Sequence, residues 1–554
     1  MKHTKQLTVG SALMRTLLML LTFTINVVAQ TGPSQFDTNP PEVWVCPSGN
    51  CGHGSLGYNS IQVAVDAVSA GGTVHVAAGT YTENIFVDKP VNLIGEGNTA
   101  TTINGNDAGN CITLVAPNAN RDTIKGFSIT NGNNGIWGET DSTLIADCII
   151  YSNLATGAQN GNGIMLEGDN DCSTIIRNVV HGNDHYGIFV GSFDNNKISS
   201  GNRILNNSVY NNGVNSRNLT DRAQYGIILA TADENLIQGN TIYDHNTWQP
   251  SGEAGGTGIY VARSARNTIT GNTIRDNVIN IEVSTAAGAR YGGGTLIQGN
   301  TLLNPTLWSV MVINDAATTK MNFNVLSSTP ANQRYVRNLQ PIDTLDARYN
   351  WFDGQSSPNP GGFQGLVDYS NSYATGATVS VFPTTYYLSL NSSVGVAVMA
   401  LVPAGAYVKG VDLSLNWSND VGIPDVGGPL EGSFFSSGGE SFFAYEGLPG
   451  SSAHVSQALL GATGVGNPTI PYVGSLFTMQ FKGVSAGTST LVVSGVLMRD
   501  PNNVPILPIV VDPPGGTELV VDDSPPSITN VLIDNTTIDN DAFVKNADNL
   551  TITA

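Results

Sequence analysis

Five ionisable side chains in the middle of the sequence could support chemistry on an acidic polysaccharide. Arg222, Arg263 and His185 lie in polar turns that border apolar segments, and Asp169 and Asp171 lie in another such turn. An enzyme that cleaves uronate polymers by elimination needs a base, and a cation such as Ca²⁺ that neutralises the substrate carboxylate. The two arginines and His185 are therefore candidate catalytic residues, and the two aspartates are candidate Ca²⁺ ligands.

The spacing of the polar residues gives other catalytic sites little support. A glycoside hydrolase needs two carboxylates at a fixed separation, whereas here the carboxylates are scattered among different repeats. Asp169-Asn170-Asp171 is not followed by the Glu that completes a calcium-binding loop, which favours an ordinary turn. His185 and His245 are likewise interpreted as solvated turn residues. The residues alone leave the question of catalysis open and favour its absence.

A repeated phrase occupies most of the chain. It consists of Gly, Ile, any residue and an aliphatic residue, followed after a short turn by Ile, a polar residue, Gly, Asn, any residue and Ile; clear copies span 226–242 and 258–274. Each copy holds short alternating strands and has no room for a helix. One copy cannot bury its own apolar face, but stacked copies can. The sequence therefore predicts an all-β fold with a right-handed parallel β-helix over residues 43–385.

Stacking brings one asparagine of each copy to the same turn. An amide offers both a donor and an acceptor, and asparagine tolerates left-handed backbone. We expect these asparagines to superpose and to hydrogen-bond along the axis of the β-helix. They are Asn178, Asn207, Asn240, Asn272 and Asn300.

One outward side chain per coil follows from the same pattern, because the residue between the Ile and the aliphatic residue points away from the core. Apolar faces of sugars stack on aromatic rings, so Trp137, Phe189 and Tyr260, with the neighbouring Tyr225, are candidate polysaccharide-binding residues. The alternative, which we favour, is that a neighbouring domain or the insertions at 213–224 and 247–257 cover the strip. The full set is Trp137, Met165, Phe189, Ile228, Tyr260, Glu282 and Met311.

The segment GTYTENIFVDKPVNLIGEG, residues 79–97, and the coils after it carry a family resemblance. They resemble pectin-lyase-like β-helix proteins, which include pectin methylesterases and NosD-like periplasmic proteins. The resemblance implies the fold and no particular activity, because this fold hosts lyases, hydrolases, esterases, epimerases and non-enzymes. The repeats lack the paired aspartates of polygalacturonases, the Gln-Ala-Val and Asp-Phe-Ile patterns of pectin methylesterases, and the Asp-Pro-His-Asp pattern of alginate epimerases.

The repeat stops before residue 386, and alternating strands separated by Gly and Pro turns follow it. The segments VKGVDLSLNW and GSLFTMQFKGVSAGTSTLVV resemble a cohesin or a related carbohydrate-binding β-sandwich, which we place at residues 386–515. This resemblance implies a glycan or a protein as partner. Residues 524–554 are predicted to be a linker and the truncated start of an immunoglobulin-like domain.

Targeting and charge limit the possible partners. Residues 1–29 combine a basic region with a short apolar run and are predicted to be a signal peptide, so we expect a secreted or cell-surface protein of bacterial type. The net charge is −20 without a basic cluster, which excludes nucleic acid as a partner. No later stretch is long enough to insert into a membrane.

Local features of the first coils are also predictable. Residues 60–68 are predicted to form a short amphipathic helix that caps the first coil. Export permits disulfides, and Cys46 and Cys51 close the short loop in which a bridge is expected. Cys148 falls at an inward position and is predicted to pack as a small apolar residue.

Three functions remain open on the sequence. The preferred one is an extracellular protein that binds polysaccharide through the β-helix, the sandwich or both, without catalysis. The first alternative is a polysaccharide lyase that acts on acidic glycans, with Ca²⁺ as its cation. The second is a scaffold that docks a protein partner through the cohesin-like domain.

Overall fold

The computed structural model describes residues 40–522 with short gaps. The residues outside the description are 1–39, 53–56, 116–120, 155–160, 195–196, 214–223, 247–254, 285–292, 315–317, 329–333, 341, 354–357, 371–376, 383–384, 392, 419–421, 425–427, 437–439, 448–450, 461–463, 508, 512–516 and 523–554. The predicted signal peptide and the predicted immunoglobulin-like start therefore lie outside the described residues, as does Arg222. No described helix has the length and apolarity needed to cross a membrane.

The first domain is a parallel β-helix, as predicted. Its coils contribute one strand to each of three parallel sheets, which we call sheets A, B and C, and every strand pairs with the equivalent strand of the next coil. Short strands rich in Ile, Val and Thr suit this arrangement, because β-branched side chains pack well on a pleated surface.

The strands of sheet A are, in spatial order, Gly57–Tyr58, Glu42–Val45, Gly72–Val76, Val91–Gly95, Thr123–Lys125, Leu144–Ala146, Thr174–Ile176, Arg203–Leu205, Leu236–Gln238, Thr268–Thr270, Leu296–Gln298, Lys320–Asn322, Leu345–Asp346 and Val367–Asp368. Those of sheet B are Gly79–Thr82, Thr101–Asn104, Ser128–Thr130, Ile149–Tyr151, Val179–His181, Ser208–Tyr210, Thr241–Tyr243, Thr273–Arg275, Thr301–Leu303, Val325–Ser327 and Trp351–Phe352. Those of sheet C are Ile85–Val87, Ile112–Leu114, Ile136–Gly138, Ile164–Glu167, Ile188–Gly191, Tyr225–Ala230, Thr257–Ala262, Ile279–Ser284, Trp308–Ile313, Val336–Asn338 and Phe363–Gln364. Ser199–Ser200 and Ala232–Asp233 form a separate pair, and Pro360–Gly362 is a 3₁₀ turn.

The core is a set of inward columns in which one aliphatic residue of each coil rests on the next. In sheet B one such column runs through Ile150, Val180, Val209, Ile242 and Ile274, each of them fully buried. Since sheet neighbours lie about 4.8 Å apart, each residue contacts its equivalent above and below. Cys148 is buried in this core, as predicted.

The predicted asparagine ladder is present at the turn between sheets A and B. The backbone N–H of each ladder residue donates to Oδ1 of the next, for example from Asn207 to Asn240 at 2.8 Å and from Asn240 to Asn272 at 2.9 Å. The side-chain amides also donate to the next Oδ1 and to a carbonyl of the previous coil. The ladder contains all five predicted residues, the first of which is Asn178, and it continues to Asn324 and Asn350.

One detail of the ladder prediction is wrong. The ladder asparagines are not left-handed; the residue just before each of them is, as at Arg177 with φ 55° and Asn206 with φ 53°. In three consecutive coils this position is glycine, at Gly239, Gly271 and Gly299. The amide can then hydrogen-bond along the axis because the preceding residue makes the sharp turn.

Two further ladders line the other turns, and the repeat pattern did not reveal them. Asn202, Asn235 and Asn267 connect at the turn between sheets C and A. Between sheets B and C the ladder includes one histidine: Asn212 Nδ2 lies 3.4 Å from His245 Nε2, and the His245 backbone N–H donates to Asn277 Oδ1 at 3.0 Å. The interpretation of His245 as a solvated turn residue is therefore wrong, since it is fully buried.

The N-terminal end is closed as the sequence predicted. The helix spans Ile61–Ala67, with Ser60 as its N-cap. Glu83 accepts hydrogen bonds from Ser60 Oγ at 2.8 Å and from the backbone N–H groups of Ile61 and Gln62, both at 3.0 Å. A carboxylate at a helix N-terminus satisfies donors that have no intrahelical partner. The disulfide between Cys46 and Cys51 is present.

The second domain is a β-sandwich that begins at Ala377 rather than at residue 386, because the strand Ala377–Phe382 pairs with sandwich strands. Its first sheet contains Gly422–Pro424, Leu430–Glu431, Tyr472–Gly483, Ser393–Val402, Ala377–Phe382 and Ile509–Val511. Its second contains Thr385–Ser389, Thr517–Asp522, Gly487–Arg499, Gly410–Asn416, Ser452–Leu459 and Ser441–Glu446. Tyr407–Val408 pairs with Val465–Gly466, and Ser433–Ser436 is a single helical turn.

The sandwich packs against the last coils of the β-helix. Met399 of the sandwich is buried in one apolar cluster with Phe323 and Tyr349, which occupy the left-handed position before the ladder asparagine. In the coils before them this position is Gly271 and Gly299. A Cβ atom at Gly299 would lie 2.6 Å from Met399 Cε, so the absence of a side chain makes room for the sandwich.

Replacing His245 by asparagine should reduce acid sensitivity. Burial lowers the pKa of His245 from 6.5 to about 4, so the native state keeps the ring neutral while the unfolded chain takes up a proton. The free energy of unfolding therefore decreases as the pH falls from 6.5 towards 4. His245 accounts for up to about 3 kcal/mol of this decrease. Urea unfolding at pH 7 and pH 4.5 should show a smaller loss for His245→Asn than for the unmodified protein.

The control for that prediction is the comparison of the two proteins between pH 7.5 and pH 8.5, where His245 is mostly neutral in the native and the unfolded state. Over that interval the change in stability should be the same for both. An unchanged acid sensitivity in His245→Asn would contradict the role assigned to the buried imidazole.

Replacing Gly299 by leucine should weaken the contact between the domains. The matched control is Gly182→Leu, because Gly182 has φ 62° against 65° for Gly299, and a Cβ atom at Gly182 would meet no neighbouring side chain or backbone within 4 Å. Both changes introduce a left-handed leucine, which costs about 1–2 kcal/mol. Only Gly299→Leu should also displace Met399, which should lower the free energy of unfolding by about 1–3 kcal/mol more. Equal losses of unfolding free energy in the two variants, measured in urea, would contradict the contact between Met399 and the turn at Gly299.

Candidate functional site

The outward strip predicted on sheet C is a continuous column in the structure. Trp137 pairs in register with Met165, Met165 with Phe189, and Phe189 with Ile228. The column continues through Tyr260, Glu282 and Met311. Parallel in-register strands bring equivalent side chains of successive coils together on one face. The strip therefore has one side chain per coil, as the repeat predicted.

The middle of the strip is covered. Phe189 has no exposed surface, because Tyr186 and Phe193 lie 5.8 Å and 5.4 Å from its ring. Met165 and Ile228 are also buried. Phe189, predicted to contact polysaccharide directly, instead supports the cluster from beneath. The insertions 214–223 and 247–254 lie outside the described residues. Among the described residues, Tyr186 and Phe193 cover Phe189.

Three of the four predicted binding rings remain partly accessible. Tyr225 and Tyr260 are half-buried, and their rings stack 4.7 Å apart. At the other end of the strip Trp137 is also half-buried, and its Nε1–H donates to Glu167 Oε2 at 3.0 Å. The hydrogen bond fixes the orientation of the indole. The strip thus has partly accessible aromatic rings on both sides of a closed centre.

A buried carboxyl lies beside the tyrosine end. Glu282 follows Tyr260 in the column and is 5% exposed, with Thr257 Oγ1 donating to its Oε2 at 3.4 Å. Burial raises the pKa of Glu282 to about 7, and the hydrogen bond from Thr257 partly offsets this. Since a buried carboxylate is costly without a cation, the protonated form is favoured below neutral pH.

Two of the three predicted catalytic residues, Arg263 and His185, lie in the described part of the chain. Arg263 lies in a left-handed turn, and its Nη1 donates to the Phe193 carbonyl at 3.4 Å. Arg222 lies outside the described residues. His185 is buried and stacks on Tyr186 with ring centres 3.5 Å apart, so its interpretation as a solvated turn residue is wrong.

The two aspartates predicted as Ca²⁺ ligands have different surroundings. Asp171 Oδ1 accepts hydrogen bonds from the backbone N–H and the hydroxyl of Ser200 at 2.7 Å and 2.9 Å. Burial, then the nearby carboxylates of Asp171 and Asp141, raise the pKa of Asp169. Within the described parts of the chain, no group of three or more His, Cys, Asp or Glu side chains is arranged to hold a metal ion.

An aromatic ladder on sheet B was not predicted from the repeat. Rings of Tyr151, His181, Tyr210 and Tyr243 stack at 5.5, 4.8 and 4.8 Å, and the Arg275 guanidinium lies 4.1 Å from the Tyr243 ring centre. Burial lowers the pKa of His181. The sequence signal for this ladder is an aromatic or basic residue at the third position of successive sheet B strands, as in Val-Val-His, Ser-Val-Tyr, Thr-Ile-Tyr and Thr-Ile-Arg. Because the ring faces are occupied by each other, the ladder is suited to stabilising the stack of coils.

A protein-family model described as periplasmic copper-binding protein (NosD) matches residues 65–320. This segment covers most of the β-helix. No curated protein matches the chain.

Solved structures similar to this chain include cohesins. A non-cellulosomal cohesin from Archaeoglobus fulgidus is 18% identical, with 27% of this chain and 93% of that chain covered and a TM-score of 0.21. The sixth cohesin of Acetivibrio cellulolyticus scaffoldin B is 17% identical, with 27% and 100% covered and a TM-score of 0.21. A cohesin from Clostridium thermocellum is 14% identical, with 27% and 96% covered and a TM-score of 0.22.

The copper in the family description does not fit the donors that the structure describes. His181 lies between two tyrosine rings, and His245 is enclosed in an asparagine ladder. These side chains stabilise the coils, and the described residues contain no cluster of His, Cys, Asp and Glu suited to a metal ion. The chain thus joins a parallel β-helix, most of which is similar to the NosD family, to a β-sandwich.

Proposed function

We propose that the protein is secreted or displayed on a cell surface and binds polysaccharide along sheet C, without catalysis. The observation that carries the proposal is the stacked pair Tyr225 and Tyr260, half-buried on the outward strip. Aromatic rings held on a rigid sheet provide apolar faces for sugars at little cost in side-chain entropy. The Cys46–Cys51 disulfide supports an oxidising location outside the cytoplasm.

The electrostatics favour an uncharged glycan over a polyuronate. The net charge is −20, and Glu167 lies against Trp137 at one end of the strip. A uniformly acidic protein repels a polyanion unless cations intervene. Arg263, three residues after Tyr260 in the sequence, donates to the backbone carbonyl of Phe193. This contact supports binding rather than elimination chemistry.

Truncation of the exposed rings tests the binding site. Tyr260→Ala and Tyr225→Ala should each lower affinity for a bound glycan about tenfold, since each removes an apolar ring from sheet C. The matched control is Tyr210→Ala, which removes an equally half-buried, stacked tyrosine from sheet B. Affinity electrophoresis in soluble neutral and acidic glycans measures all three. Equal losses in Tyr210→Ala and Tyr260→Ala would argue against sheet C as the binding face.

Catalysis is tested separately. Incubation with a panel of uronate polymers, with and without Ca²⁺, should give no increase in absorbance from unsaturated products. Product formation that Arg263→Ala or Arg222→Ala abolishes would replace the binding proposal with the lyase alternative.

A further inference from the structure

A pocket lies at the N-terminal end of the β-helix, away from the sheet C strip. It has a volume of about 620 Å³ and lies where three strands of sheet A end, at Val45, Val76 and Gly95. The loop closed by the Cys46–Cys51 disulfide supplies another wall. Ligand pockets commonly have volumes of roughly 300–1,000 Å³, so one or two sugar units would fit.

One wall of this pocket is aromatic and apolar. Trp44, His75 and Ile94 are equivalent outward residues on successive strands of sheet A. The rings of Trp44 and His75 stack with centres 5.3 Å apart and planes 15° from parallel. Because both residues lie within paired strands, the wall is held rigidly before any ligand binds.

The facing groups are polar. Glu96 Oε2 accepts a hydrogen bond from the Ala78 backbone N–H at 2.7 Å, which fixes the carboxylate. Its other oxygen has no hydrogen bond to a described residue, and so is available to a ligand hydroxyl. The disulfide loop adds the hydroxyl of Ser48 and the exposed side-chain amide of Asn50. An aromatic wall facing a carboxylate, a hydroxyl and an amide suits a ligand with both an apolar face and hydroxyl groups.

The charges of the pocket narrow the ligand class further. Glu96 lines it, and Glu42 Oε2 lies 3.9 Å from His75 Nε2 beside the aromatic wall. Two carboxylates in a protein with a net charge of −20 disfavour a uronate. We propose that this pocket is a second carbohydrate site, which binds the end of an uncharged glycan independently of the sheet C strip.

Short sugars test the proposal on the whole chain. Cellobiose, lactose, maltose and digalacturonate are titrated by isothermal calorimetry, and binding is confirmed by saturation-transfer NMR. At least one neutral disaccharide should bind, with digalacturonate weaker. Trp44→Ala and Glu96→Gln should each lower that affinity about tenfold. Tyr210→Ala, on the sheet B ring ladder and outside both proposed sites, should leave it unchanged.

Several results would overturn the second site: no binding of any of the neutral disaccharides, digalacturonate binding as tightly as they do, or full affinity in Trp44→Ala. Should Trp44→Ala fail to fold, Trp44→Phe and Asn50→Ala replace it, and circular dichroism confirms their structure. An effect of Tyr260→Ala alone would assign disaccharide binding to sheet C. Loss of the sheet C site leaves this test unaffected, because Trp44, Glu96 and Asn50 line the pocket and are not part of the sheet C strip.

Discussion

The asparagine ladders are the constraint on which the β-helix depends. A buried side-chain amide has two donors and an acceptor oxygen with two lone pairs. In the ladder of Asn207 and Asn240 all of these are used: Oδ1 accepts two hydrogen bonds from the preceding asparagine, and Nδ2 donates to the next amide and to a carbonyl. Buried polar groups are costly when unsatisfied, so this arrangement fixes each coil in register with its neighbours.

The same register determines where function can lie. Aliphatic residues fill the inward columns and amides occupy the turns. Only the outward positions are therefore free to differ in residue type from one coil to the next. Sheet B uses them for a ladder of four stacked rings, and sheet C uses them for the stacked pair Tyr225 and Tyr260 and for Trp137. The sandwich takes up a third region, where Met399 meets the turn at Gly299. Different faces of one scaffold thus serve stability, domain contact and the proposed binding.

The repeat was sufficient to predict the fold and the outward column, because periodic patterning is a property of the sequence itself. Cover over the strip was the favoured expectation, but the repeat could not show that Tyr186 and Phe193 cover Phe189, because it does not encode the path of the turns that carry them. Nor could it identify His245 as a ladder residue, because imidazole replaces an amide there without changing the pattern. The pocket beside Trp44 depends on where the disulfide loop folds, which spacing alone leaves undetermined.

The central claim is that polysaccharide lies along sheet C against the stacked tyrosines. A crystal structure of the protein with a neutral oligosaccharide tests it most directly. We predict sugar rings in contact with Tyr225 and Tyr260, and an unchanged ladder on sheet B. Sugar bound along Tyr151 to Tyr243 on sheet B, with the tyrosine pair on sheet C unoccupied, would contradict it.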